Sequence, residues 1–231
     1  MSARLVTFDG DDTLWAVEPP FEGALRGSCS AFARHFPDRP VTVEELVEDR
    51  RAVHESMPPG SDLRAYRVAA FQRRIDLLGG GPDGLADELC DAFLHLRSSL
   101  IEPYADTVPA LDRLTQRAVV GLITNGNADV EKTPLAGRFA FRLHAFEHGP
   151  EKPDIEMFVV ALARAGVSSR AAVHVGDSLE CDVAGAQAAG FKAVWLNRRG
   201  AANTSGLQPD AEISSLLELD TVLDALVPWP A

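Results

Sequence analysis

Asp9 and Asp11 stand two residues apart just after the apolar run Leu5–Phe8, so in extended chain their carboxylates project to the same side. Three further polar groups follow apolar runs or open a helix: Thr124-Asn125-Gly126 after Val119–Ile123, Lys152-Pro153-Asp154 before a helical pattern, and Gly176-Asp177-Ser178 after Val173–Val175, with Asp182 a short step on. Phosphoryl transfer needs a nucleophile, a proton donor for the leaving oxygen, a hard cation and donors for the phosphate oxygens. A carboxylate is a competent nucleophile toward phosphorus. Magnesium takes a few oxygen ligands and keeps waters, which suits aspartates better than a His/Cys set. Each group alone has a plainer reading, as an acidic turn, a turn, a helix start or a loop. Together they supply every part of that reaction.

Such residues need a frame. Residues 4 to 8, Ala118–Thr124, Ala171–Gly176 and Ala193–Leu196 read as short buried strands, and Ile155, Phe158, Val159 and Leu162 have helical spacing. Strands alternating with helices predict an α/β fold, a Rossmann-like parallel sheet that binds ligands beyond the carboxyl ends of its strands. Residues 16–103 read instead as four helices, Phe21–Phe36, Val43–Met57, Leu63–Leu78 and Gly84–Leu100. Pro37-Asp38-Arg39-Pro40, Pro58-Pro59-Gly60 and Gly79-Gly80-Gly81-Pro82 break them. The expectation is an all-α helical bundle inserted into a discontinuous core of residues 1–15 and 104–231.

The 231 residues carry 22 basic against 34 acidic side chains, a net charge of −12. That balance argues against non-specific nucleic-acid binding. No apolar run approaches the ~20 residues of a membrane helix, and the start of the chain does not read as a secretory leader. Cys29, Cys90 and Cys181 are odd in number and widely spaced, which reads as reduced thiols. A cytoplasmic protein with a small-molecule partner, neither nucleic acid nor membrane, and a monomeric or homodimeric state are therefore expected.

The stretch Phe8-Asp9-Gly10-Asp11-Asp12-Thr13-Leu14 resembles the first motif of the haloacid dehalogenase superfamily. Thr124-Asn125-Gly126 resembles its second, Lys152-Pro153-Asp154 its third, and Gly176-Asp177-Ser178 through Asp182 its fourth, in family order. The insert between the first and second motifs is where members with a helical cap carry it. The resemblance implies an Mg²⁺-dependent phosphatase of small phosphomonoesters, such as sugar phosphates, phosphoglycolate or nucleotides. Asp9 would be the nucleophile and Asp11 the general acid and base. Thr124, Asn125, Gly126 and Lys152 would hold the phosphate, and Lys152 would also neutralise charge on Asp9. Asp9, the carbonyl of Asp11 and Asp177 would ligate the metal, supported by Asp182 and Ser178. Asp12 departs from many relatives, which have Gly there.

Other members of the superfamily do other chemistry. Its haloalkanoate dehalogenases lack the second aspartate of the first motif, which Asp11 supplies here, and its phosphonate hydrolases use a cap lysine, whereas no lysine precedes Lys132. A phosphomutase and a silent phospho-ligand binder stay open. His174, inside an apolar run, reads as a satisfied core histidine, and the other histidines as surface or packing residues. Gly79-Gly80-Gly81 reads as a linker. The arginines at 50, 51, 64, 67, 73 and 74 read as a solvated helical face. One or two of them near Pro58-Pro59-Gly60, with Arg64 and Arg67 as the candidates to test, are expected to reach a substrate.

Overall fold

A computed structural model describes residues 4–57 and 62–227, and they divide into two compact units. The first contains Met1–Ala16, Pro103–Gly126 and Leu135–Ala231. Its strands are β1 (Leu5–Phe8), β2 (Val119–Thr124), β3 (Phe141–His144), β4 (Ala172–Gly176), β5 (Lys192–Leu196) and β6 (Ala211–Ile213). All pair in parallel, in the order β3-β2-β1-β4-β5-β6. β1 lies at the centre, where Leu5 faces Val119 on one side and Ala172 on the other. A strand paired on both edges and covered on both faces must be largely apolar, and all four β1 residues are buried, the one polar member, Thr7, with its hydroxyl bonded to His174. The reversal of strand order at β1 puts the crevice beyond the ends of β1, β2 and β4, the switch point at which such sheets bind ligands.

Two strands, β3 and β6, were not predicted. They are four and three residues long, interrupted by Arg142 and Glu212, and they sit at the sheet edges, where one side need not be apolar. The helices of this unit are α5 (Thr107–Leu114), α6 (Ala145–His148), α7 (Glu156–Ala165), α8 (Ala184–Ala188) and α9 (Leu219–Leu226). On one face Met157, Phe158 and Ala161 of α7 pack with Ile123, Val183 and Ala186. Of the four positions whose spacing marked the helix, Phe158 is buried here and Leu162 packs beside it, whereas Ile155 and Val159 are exposed, so the buried stripe is offset from the expected one.

The second unit comprises Val17–Glu102 and Asn127–Pro134. Its helices are α1 (Glu18–His35), α2 (Val43–Ser56), α3 (Leu63–Leu77) and α4 (Leu85–Ser99), within two or three residues of the expected bounds. Thr42 and Glu45 form a reciprocal capping box on α2, and the Asp62 carboxylate accepts from the N–H groups of Arg64 and Ala65 on α3. Leu25, Phe32, Phe71, Ile75, Leu89 and Phe93 fill its core. Gly79 and Gly80 both take positive φ just after α3, as a linker needs, whereas the Pro58-Pro59-Gly60 break lies outside the described residues. The sequence reading placed Asn127–Pro134 with the sheet, but Arg97 of α4 donates to the Asn127 amide oxygen and Ser98 Oγ accepts from the Asp129 N–H at 3.0 Å. Among the described residues no helix is long and apolar enough to cross a membrane.

Candidate functional site

The sheet unit gathers its carboxylates around one ammonium. Lys152 is 3% exposed, and its Nζ donates to Asp9 Oδ1 at 2.7 Å, Asp182 Oδ1 at 2.6 Å and the Ile123 carbonyl at 2.9 Å. Three donors meet three acceptors with none left over. Asp9 leaves the end of β1, its N–H still bonded to the Val175 carbonyl of the neighbouring strand at 2.9 Å, so the ladder itself aims the carboxylate. Asp182 comes from a turn of π-helix at Leu179–Val183, capped by Ser178 Oγ, which accepts from the Cys181 N–H at 3.0 Å. Carboxylate oxygens of Asp9, Asp177 and Asp182 all lie within 4.8 Å of one another.

The three aspartates differ in charge. Burial pushes the Asp9 carboxyl up to about 7; Asp182 and Asp177 push the same way, and Lys152 opposes them. Burial also pushes Asp177 up to about 6, with Asp182 and Asp12 adding to it. Asp182 is fully buried too, yet Lys152 and His174 outweigh that and hold its pKa well below the carboxylate range. Lys152 in turn is held above its ordinary value, because Asp182 and Asp9 overcome its own desolvation. The resting site is thus one permanent ion pair, Lys152–Asp182, beside two carboxyls that burial and neighbouring carboxylates keep close to protonation.

His174 is the packed histidine the sequence suggested, but it serves the site. It is 1% exposed and burial lowers its pKa, which keeps the ring neutral. Its Nε2 lies 3.2 Å from Asp182 Oδ1 and its Nδ1 2.8 Å from Thr7 Oγ1. A neutral ring beside a carboxylate must carry its hydrogen on Nε2, so Nδ1 accepts from the Thr7 hydroxyl. Both Asp182 oxygens are therefore engaged, Oδ1 by Lys152 and His174 and Oδ2 by the Ser178 N–H at 3.0 Å. Gly176 is required here because a Cβ at that position would lie 2.2 Å from the Asp182 carboxylate.

The loop after β1 is held from several sides. Trp15, 1% exposed, donates its indole N–H to Asp11 Oδ1 at 2.8 Å. Asp12 takes φ 59°, the left-handed region, which explains why a Gly suits that position and why Asp is tolerated there. Thr13 Oγ1 donates to Asp177 Oδ1 at 3.3 Å, and the Trp195 indole to the Asp177 carbonyl at 2.8 Å. Arg198 donates to the Thr13 carbonyl at 2.9 Å and makes a two-pronged pair with Asp106 at 2.9 and 3.0 Å. Arg198 and Asp106 escaped the sequence reading because they lie far apart in the chain, and Trp15, only four residues from Asp11, because an aromatic there has the look of a core residue.

At the end of β2, Thr124 Oγ1 accepts from the Gly126 N–H at 3.0 Å. Gly126 also leaves room for Asp11, since a Cβ there would lie 2.6 Å from Asp11 Oδ2. The Asn125 side chain clasps the Lys152 backbone, donating to its carbonyl at 3.1 Å and accepting from its N–H at 2.8 Å. It positions Lys152 across the sheet, and its amide is not turned to a ligand. His144 Nδ1, 3.1 Å from the Gly126 carbonyl, braces the same turn.

A sheet with this strand order, carrying an aspartate cluster round a lysine at its switch point, defines a class. The chain belongs to the haloacid dehalogenase-like hydrolases, whose family model matches residues 3–190. It is similar to the 5-amino-6-(5-phospho-D-ribitylamino)uracil phosphatase YigB of Escherichia coli, 31% identical over 94% of this chain and 95% of that protein. It is also similar to the pyrimidine 5'-nucleotidase YjjG of Escherichia coli, 29% identical over 94% of this chain and 96% of that one. Among solved structures, a 2-haloacid dehalogenase from Pseudomonas syringae pv. Tomato DC3000 superposes with a TM-score of 0.84 at 40% identity, over 96% of this chain and 99% of that one.

Proposed function

We propose that this enzyme hydrolyses small phosphomonoesters through an aspartyl-phosphate on Asp9. The observation that carries the reading is the Lys152 ammonium, bonded at once to Asp9 and Asp182, with Asp11 two residues along the same loop. Asp9 attacks phosphorus as the bond to the leaving oxygen breaks, and Asp11, oriented by the Trp15 indole, gives that oxygen its proton. Water then attacks phosphorus, Asp11 takes a proton back, and the Asp9–phosphorus bond breaks. Thr124, whose oxygen already accepts from the Gly126 N–H, turns its hydroxyl hydrogen to a phosphoryl oxygen, with the backbone N–H of Asn125 beside it.

The donors nearest Asp9 are carboxylate oxygens, a set that fits magnesium. We assign the ion to Asp9, Asp177 and the Asp11 carbonyl, where its charge offsets that of the phosphoryl oxygens. Asp182 stays out of the ligand set because three donors already occupy its oxygens. We further read the helical unit as a cap that selects small substrates, and the protein as a cytoplasmic monomer or homodimer.

Two of the relatives are a phosphatase and a nucleotidase by name, which supports the same reaction. The dehalogenase name of the 40% identical structure raises a second reading. Asp11 weighs against it, since a halide leaves without a proton. Release of phosphate from p-nitrophenyl phosphate, with 2-chloropropionate run beside it, separates the two. The phosphatase reading expects Mg²⁺-dependent phosphate release, stopped by EDTA and abolished in Asp9→Asn, with no chloride release. Chloride release without phosphate release overturns it, and transfer within a sugar phosphate without hydrolysis selects a mutase.

A further inference from the structure

The helical unit carries a second concentration of charge that this reaction does not use. Arg67 of α3 holds its guanidinium carbon 3.9 Å from the centre of the Phe93 ring and 5.0 Å from that of Phe21. Arg50 of α2 lies 5.1 Å from the same Phe21 ring. The two rings meet edge to face at 5.6 Å, and Phe93 is buried in the unit's core. Stacking on aromatic faces fixes the plane of an arginine fork but leaves its N–H donors without acceptors.

Neighbouring arginines are treated otherwise. Arg64, on the same helix, pairs with Asp87 and Asp91, both at 2.8 Å. That pairing removes Arg64 from the expectation that it reaches a ligand. Arg73 and Arg74 pair with Asp49. Arg67 has no carboxylate partner among the described residues, and residues 58–61, which are Pro, Pro, Gly and Ser, bring no side-chain carboxylate. Cys90 does not balance it either, because burial pushes that thiol up to about 11. Burial, with Arg50 and Arg97 adding repulsion, brings the Arg67 guanidinium down to about 9, so it is still a cation at neutral pH. A fixed, partly desolvated cation among like charges is complementary to an oxyanion, which would accept a two-pronged hydrogen bond and relieve the repulsion.

We propose that Arg67, with Arg50 beside it, is a binding site in the helical unit for the carboxylate or phosphate group of a small molecule. Two sources supply such a group: a second acidic group on the substrate, or a separate anion. The inference rests on the phosphatase reading only for the first source. The first measurement needs no turnover. The full chain, with its arginines ¹⁵N-labelled, is titrated with malonate while the Arg67 Nε–H resonance is followed, assigned by its absence in Arg67→Lys. The second compares kcat/KM for phosphoglycolate, which carries a carboxylate, with that for p-nitrophenyl phosphate, in wild type and in Arg67→Lys. A ratio is unaffected by a general loss of folded enzyme.

A saturable Arg67 shift together with a ratio that falls about ten- to a hundredfold identifies the substrate's own acidic group. A saturable shift with an unchanged ratio identifies a separate anion. No shift and an unchanged ratio overturn the proposal and leave Arg67 a packing residue. If the enzyme hydrolyses neither ester, the titration alone decides, so failure of the phosphatase reading is distinct from failure of this one.

Discussion

Replacing Lys152 with methionine keeps the volume of the side chain and removes only its charge and donors, so no cavity contributes. Three acceptors lose their partner: Asp9 Oδ1, Asp182 Oδ1 and the Ile123 carbonyl. The side chains involved are 2%, 11% and 2% exposed for Lys152, Asp9 and Asp182, so solvent cannot replace the ammonium. Breaking a buried pair from one side costs about 3–5 kcal/mol, and an orphaned buried carbonyl adds about 1 kcal/mol. The metal-free variant is therefore expected to be about 4–6 kcal/mol less stable than wild type near pH 8.

The pH dependence of that loss is the sharper part. Between about pH 8 and 6 the wild type takes up a proton on Asp9, whose pKa is about 7, and gains about 1.4 kcal/mol. The variant, with two unpaired carboxylates in contact range, holds a shared proton across the whole interval and gains about 2.7 kcal/mol. The destabilisation should thus be about 1.4 kcal/mol smaller near pH 6, read by urea unfolding in EDTA at both pH values. Adding Asp182→Asn to Lys152→Met should recover part of the loss. A destabilisation under about 1 kcal/mol, or one equal at both pH values, would refute the claim that Lys152 neutralises these carboxylates.

Asp9 and Asp177 also set the stability of the metal-free protein. A carboxyl whose folded pKa is raised contributes stability at low pH and loses it as pH climbs through the folded value. Between about pH 6.5 and 8 stability should fall by about 0.5 kcal/mol, a drop in Tm of about 1–2 °C by calorimetry, because the protons lost from Asp9 and Asp177 outweigh those that an unfolded His174 takes up near pH 6.5. Magnesium should stabilise more at the upper end of that window, since protons no longer compete for Asp9; a metal-free Tm that rises across it counts against the raised Asp9. Asp12→Ala should cost about 1 kcal/mol in urea unfolding, because φ 59° is strained for alanine, whereas Asp12→Gly should cost less. Arg198→Met, which takes the charged partner from Asp106, leaving it only Ser215 and the Leu216 N–H, and frees the Thr13 carbonyl, should cost about 2–3 kcal/mol and lower kcat for p-nitrophenyl phosphate more than it raises KM.

What the sequence made legible follows from how local each signal is. β1 could be read because a strand paired on both sides is largely apolar, and it ends abruptly at Asp9. The four helices of the second unit could be read from their periodicity and from breaks such as Gly79-Gly80-Gly81. β3 and β6 could not, because an edge strand of three or four residues has too few positions to show a pattern. Within the site, the aspartates and Lys152 announced themselves by type and order. Their supports did not: Arg198 lies far along the chain from Thr13, and His174 looks like any apolar-strand histidine until Thr7 and Asp182 are placed on its two nitrogens. Asn125 shows the same limit, since its position in a turn gave no hint that its amide holds Lys152.

The most direct test of the account is to acid-quench the enzyme during turnover of p-nitrophenyl phosphate with Mg²⁺ and map the phosphorylated peptide by mass spectrometry. The account predicts an acid-stable, hydroxylamine-labile phosphoryl group on Asp9, absent in Asp9→Asn. Steady hydrolysis with no phosphoryl group on Asp9, or with one on another residue, would contradict it.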